Sequence, residues 1–142
     1  MTKEYTQTQK TNRTQWTAQF LTAGELARRF YTVSFTMGNH TPVADLIVGS
    51  PSGHQFWVDV KGLSSRNFWL LHEKPAHVNL FYVLVYVDPT REGDLFFVLS
   101  QANANSLIRA YIRDNPKMKH QMVGFNWTTP HRFKDAWETL PR

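Results

Sequence analysis

The sequence predicts an α/β domain, more narrowly α+β, built on a mixed β-sheet flanked by helices. Three observations carry that expectation: apolar residues at helical spacing from Trp16 to Phe30, short stretches of strand-like pattern from Tyr31 to Val60, and a helical pattern that returns after Ser100. At 142 residues the chain has the size of one domain. Hydrophobic residues at 42% and charged residues at 19% fit a protein that buries a core of its own.

Residues 1–15 are rich in Thr, Gln and Lys and offer little to bury, so a flexible polar arm is expected there, followed by a single domain over 16–142. Lys3, Lys10 and Arg13 on that arm are available to phosphates. From Trp16 onward, Phe20, Ala23, Ala27 and Phe30 recur at helical spacing, with Glu25, Arg28 and Arg29 off that face. Tyr31, Val33 and Phe35 then alternate with Thr32, Ser34 and Thr36, the period of a strand with one buried face. A turn at Gly38-Asn39 leads to a second strand, Pro42 to Val48, and the turn GSPSG leads to a third, His54 to Val60. Short connections make these three an antiparallel meander.

Leu80 to Val87 is apolar on both faces, as a central strand requires, and Asp94 to Leu99 reads as a fifth strand. Ser100 is placed to cap a helix that buries Leu107, Ile108, Tyr111 and Ile112 and ends before Pro116. Thr129-Pro130 predicts a final helix with Phe133, Ala136, Trp137 and Leu140 on one face.

Composition narrows the chemistry. There are 16 Lys and Arg residues against 11 Asp and Glu, a balance that favours polyanions such as nucleic acid. The absence of cysteine excludes disulfides, thiolate metal sites and cysteine nucleophiles, so a metal would sit on oxygen or imidazole. The opening MTKEYTQTQKTNRTQW lacks the apolar core of a signal peptide, and Leu80 to Val87 is too short to span a bilayer. An intracellular, cytoplasmic protein with no membrane role is therefore expected. No GxSxG elbow, Walker lysine, GxGxxG turn or HxxxH pair is present, and the six histidines, His72 and His77 among them, read as surface or structural residues.

In the third strand, FWVDVKG, period 2 places Phe56, Val58 and Val60 on one face and Trp57, Asp59 and Lys61 on the other. A metal held by Asp59 would have Lys61 beside its bound water. Asp45 interrupts the apolar run of PVADLIV, where a carboxylate is costly without a cation, a hydrogen-bond network or a metal. A hairpin of strands two and three brings Asp45 beside Asp59, and two converging carboxylates are a common way to hold Mg2+. Ser64, Ser65, Arg66 and Asn67 follow the lysine in a polar loop, which reads either as a contact for phosphate or base edges or as a solvated turn.

Glu25 in a first helix, Asp45 after a proline-led strand, and Asp59-Val60-Lys61-Gly62 closing the next strand together resemble the PD-(D/E)XK, restriction-endonuclease-like nuclease superfamily. The resemblance extends from about Thr22 to Gly62. It implies an αβββαβ core and Mg2+-dependent hydrolysis of DNA phosphodiester bonds, with Mn2+ able to substitute. By the same resemblance Asp45 and Asp59 coordinate Mg2+, Lys61 positions or activates the attacking water, and Glu25 supplies an outer or additional metal contact. Glu25 with Arg29 is also an ordinary i, i+4 helix pair. The family places a helix after the lysine, whereas LSSRNFWLLHEKPAHVN reads as one or two turns or, at Phe68 to Leu71, as an added strand. The expected partner is DNA, and double-strand cutting by so small a chain implies a homodimer or larger assembly. The alternative is a catalytically inactive DNA-binding or assembly module of the same fold.

Overall fold

The computed structural model describes residues 3–36, 44–117 and 122–142. Its elements are helix α1 (Gln7–Arg28), strands β1 (Thr32–Phe35), β2 (Leu46–Gly49), β3 (Gln55–Leu63), β4 (Trp69–Leu70), β5 (Leu80–Tyr86) and β6 (Leu95–Ser100), helix α2 (Gln101–Asp114) and strand β7 (Gly124–Phe125). Strands β1-β2-β3-β5-β6, in that order, form one mixed sheet, and β4 pairs with β7 in a second, two-stranded sheet.

The expected meander is present, with β1 antiparallel to β2 and β2 antiparallel to β3. Pairing then turns parallel between β3 and β5 and antiparallel again between β5 and β6. Because β5 is flanked by two strands and covered on both faces, its apolar residues have no polar alternation. One face of the sheet, carrying Val58, Val60, Val83 and Val98, packs under Ala18 and Leu26 of α1. The other, carrying Tyr82, Leu84, Phe97 and Leu99, packs under Ala104 and Ile108 of α2 and under Trp69 and Phe125 of the small sheet. At Gly124, with φ at +149°, a Cβ would stand 1.8 Å from the Trp69 carbonyl oxygen, so only glycine lets β7 meet β4.

Three expectations need correction. The polar arm over 1–15 is helical from Gln7: Thr6 and Gln9 form a capping box, and the hydroxyls of Thr11, Thr14 and Thr17 bond back to carbonyls one turn earlier. The face that α1 buries is Ala18, Thr22 and Leu26, leaving Phe20 and Phe30 exposed. Phe30 lies beyond the helix with φ at +69°. Finally, the chain after Thr129 makes two 3-10 turns, Thr129–Phe133 and Trp137–Thr139, in place of an α-helix. Between them Lys134 bridges to Phe97, and Asp135, with φ at +52°, donates its N–H to the Phe96 carbonyl, so sheet pairing interrupts the helix while Trp137 and Leu140 still reach the core.

Of the segments without a settled expectation, Trp69–Leu70 is the added strand, and no helix occurs between Lys61 and Leu80. The Gly38-Asn39 turn and the Pro42-Val43 start of the second strand lie outside the described residues.

Candidate functional site

Period 2 along β3 holds: Phe56, Val58 and Val60 are buried on the α1 side, and Trp57, Asp59 and Lys61 face the α2 side. That second face is not open to solvent, since Trp57 and Leu63 join the core there and Asp59 is only 4% exposed. The register Leu46↔Val58 sets Asp45 beside Asp59 one step further along the hairpin. Asp45 lies just before β2, where its N–H donates to the Val58 carbonyl, 3.1 Å, and its Oδ2 accepts the Val60 N–H, 2.8 Å. The two carboxyl groups are cross-strand neighbours on the hairpin. Burial first, and then the neighbouring Asp59, push the Asp45 carboxyl up to about 6, against the opposing pull of the Val60 N–H and Lys61.

Two ammonium groups meet the same oxygen of Asp59. Lys61 Nζ lies 3.9 Å from Oδ2, and Lys74 Nζ lies 2.7 Å from it. Lys74 comes from the segment between β4 and β5, which the buried side chain of Gln101 ties down: its Nε2 donates to the Pro75 carbonyl and its Oε1 accepts the His77 N–H. Tyr82, opposite Asp59 in the β3-β5 register, is buried with a hydroxyl that has no hydrogen-bond partner among the described residues. Burial, and then the charge of Asp59, push that hydroxyl up to about 12.

The open edge of β3 beyond Asp45 is closed by α1. Gln15 donates from Nε2 to the Val60 carbonyl, 2.7 Å, and accepts the Gly62 N–H on Oε1, 3.0 Å. One side chain thus replaces the partner strand that ended at β2.

Glu25 is not brought into this group. It pairs with Arg29 at 2.7 Å and Arg28 at 3.5 Å, about 15 Å along the helix from Gln15 at the ordinary rise per residue. Among the described residues no three His, Asp or Glu side chains converge on one point. Ser64, Ser65, Arg66 and Asn67 form an exposed loop directly after β3. His72 and His77 are both exposed, and Trp57 meets His77 edge-on instead of facing solvent. A cleft of about 750 Å3 beside α2, lined by His77, Gln101, Asn105 and Arg109, contains neither aspartate nor either lysine of the site.

Lys74, Tyr82 and Gln15 escape a reading of the sequence. Lys74 sits in a segment with no periodicity, Tyr82 is one apolar-strand residue among several, and Gln15 falls in a stretch that looks disordered; only strand register and helix docking join them to Asp59.

Fold and site together define an α+β protein with a mixed five-stranded sheet and a carboxyl pair, Asp59 buried and Asp45 half-buried, with two lysines at Asp59. No family model, curated protein or solved structure matches the chain.

Proposed function

We propose that the chain is a Mg2+-dependent DNA endonuclease, hydrolysing phosphodiester bonds on a restriction-endonuclease-like core. The observation that carries this reading is the cross-strand juxtaposition of Asp45 and Asp59, with Lys61 and Lys74 at the same Asp59 oxygen. Two neighbouring carboxylates, one buried and one half-buried, repel each other unless cations offset the charge, and Lys61 and Lys74 supply part of that offset at Asp59. An all-oxygen donor pair suits a hard ion, so Asp45 and Asp59 fit Mg2+ or Mn2+, and Glu25 is not needed among their ligands. When bound there, the ion supplies Lewis-acid polarisation of the phosphate and a more acidic water.

The chain's own groups do the rest. The Val60 N–H fixes the orientation of Asp45 through Oδ2. Lys61, on the strand beside Asp59, orients the attacking water, and Lys74 adds positive charge where the phosphate oxygens gain negative charge. The exposed Ser64 to Asn67 loop adjoins the end of β3, where it can contact the sugar-phosphate backbone, and the net charge of +5 favours DNA.

The test is nicking of supercoiled plasmid in Mg2+ by the parent, Asp59→Ala and Lys61→Ala. Each variant is expected to lose at least about a hundredfold in rate while keeping the parent's circular dichroism. Variants that cut like the parent would remove the site assignment. Calorimetric titration with Mn2+ separates a metal-binding pair from a purely structural one.

A further inference from the structure

We propose that the outer face of α1 is a stacking platform for unpaired DNA bases, so that the chain binds single-stranded or branched DNA in preference to closed duplex. This rests on the nuclease reading for the use of the platform, though not for its existence.

Arg13, Trp16 and Phe20 stand at i, i+3 and i+7, within about 60° of one another around the helix axis. They point away from the buried stripe of Ala18, Thr22 and Leu26. Trp16 is 43% exposed and Phe20 59% exposed, with ring centroids 6.0 Å apart and planes inclined by only 28°. Phe35 of β1 extends the row, its ring 5.2 Å from that of Phe20. A continuous row of half-exposed rings is a surface that a ligand covers better than water does.

Charge selects the ligand. From Gln7 to Gly24 the only charged residues are Lys10 and Arg13, both positive, which complements a phosphate backbone running beside the rings. Bases within a duplex are already stacked, so an exposed aromatic row gains most from a base whose face is free.

Position ties the row to the site at both ends. Gln15, the residue before Trp16, holds Val60 and Gly62 of β3, and the Val60 N–H holds Asp45. Thr36, the residue after Phe35, donates its N–H to the Asp45 carbonyl, 3.0 Å. The rings themselves point away from the sheet, so the row is a binding surface on the helix that braces the site and not a part of the site.

The experiment is fluorescence anisotropy with a labelled single-stranded oligonucleotide and the blunt duplex of the same sequence, in EDTA so that nothing turns over. Trp16→Ala and Phe20→Ala are each expected to weaken single-strand binding about tenfold, with little change for the duplex, and Trp16→Phe to retain most of the affinity. Both positions are exposed, so the variants are expected to melt like the parent. The proposal is overturned if the Ala variants bind single strands as the parent does, if duplex binding falls equally, if the parent binds no single strand, or if Trp16→Ala changes only the sedimentation of the protein. Trp16-dependent binding alongside undiminished nicking by Asp59→Ala would sink the nuclease reading and leave the platform standing; Asp59-dependent nicking with Trp16-independent binding would do the reverse.

Discussion

Asp45 is the residue on which charge and stability oppose each other. Its carboxyl is raised from 3.8 to about 6 by burial and by Asp59. A group whose folded pKa is raised contributes stability that is fully present below about pH 4 and is lost as pH rises through about 6. Asp45→Asn keeps an acceptor for the Val60 N–H and replaces a repelling carboxylate with a donor toward Asp59. The variant is expected to melt several degrees above the parent at pH 8, about 2 kcal/mol more stable, with the difference vanishing near pH 4, as thermal melts across that range would record. A less stable variant at pH 8 would show that Lys61 and Lys74 already cancel the repulsion. Metal affinity should run the other way, rising in the parent as pH passes about 6.

At the level of elements, the site depends on how closely α1 crosses the end of β3. A Cβ on Gly62 would meet the Ala18 Cβ at 2.8 Å and the Thr14 carbonyl oxygen at 3.0 Å, both on a helix that cannot yield locally. Gly62→Ala is therefore expected to push α1 outward, strain the two Gln15 hydrogen bonds and cost about 1 to 3 kcal/mol, read as a lower midpoint in urea. Unchanged stability would mean that the helix is more loosely seated than its contacts indicate. That crossing also explains the long helix: once Gln15 and Ala18 are docked, the capped, acid-free turns from Gln7 have an anchor that local propensity alone does not provide.

Across the whole molecule, the parallel pairing of β3 with β5 requires a long crossover, and here residues 64–79 supply it without a helix, through β4 and the segment that carries Lys74. Two devices steady that crossover: β4 pairs with β7 under the α2 face, and Gln101 grips the backbone at Pro75 and His77. Gln101→Ala should raise hydrogen exchange over 72–79 while lowering global stability by no more than about 2 kcal/mol. Exchange identical to the parent's would show that the segment is held without Gln101, by contacts such as the Lys74–Asp59 and Glu73–Arg109 ion pairs. No helix among the described residues is long and apolar enough to cross a membrane.

Sequence alone determined what rests on local periodicity and capping. The alternation Phe56-Val58-Val60 against Trp57-Asp59-Lys61, the doubly apolar β5 and the Ser100 cap of α2 are short-range patterns, and each stands in the structure. Asp45 was legible because a carboxylate inside an apolar run demands a partner, and the partner is the Val60 N–H. Only the tertiary structure decided which side of α1 is buried, where the C-terminal segment leaves the helical path, and that Lys74, Tyr82 and Gln15 attend the aspartates while Glu25 does not. Those outcomes depend on contacts between residues distant in the chain, whose energies leave no period in the sequence and appear only when the sheet, its crossover and its covering helix are packed together.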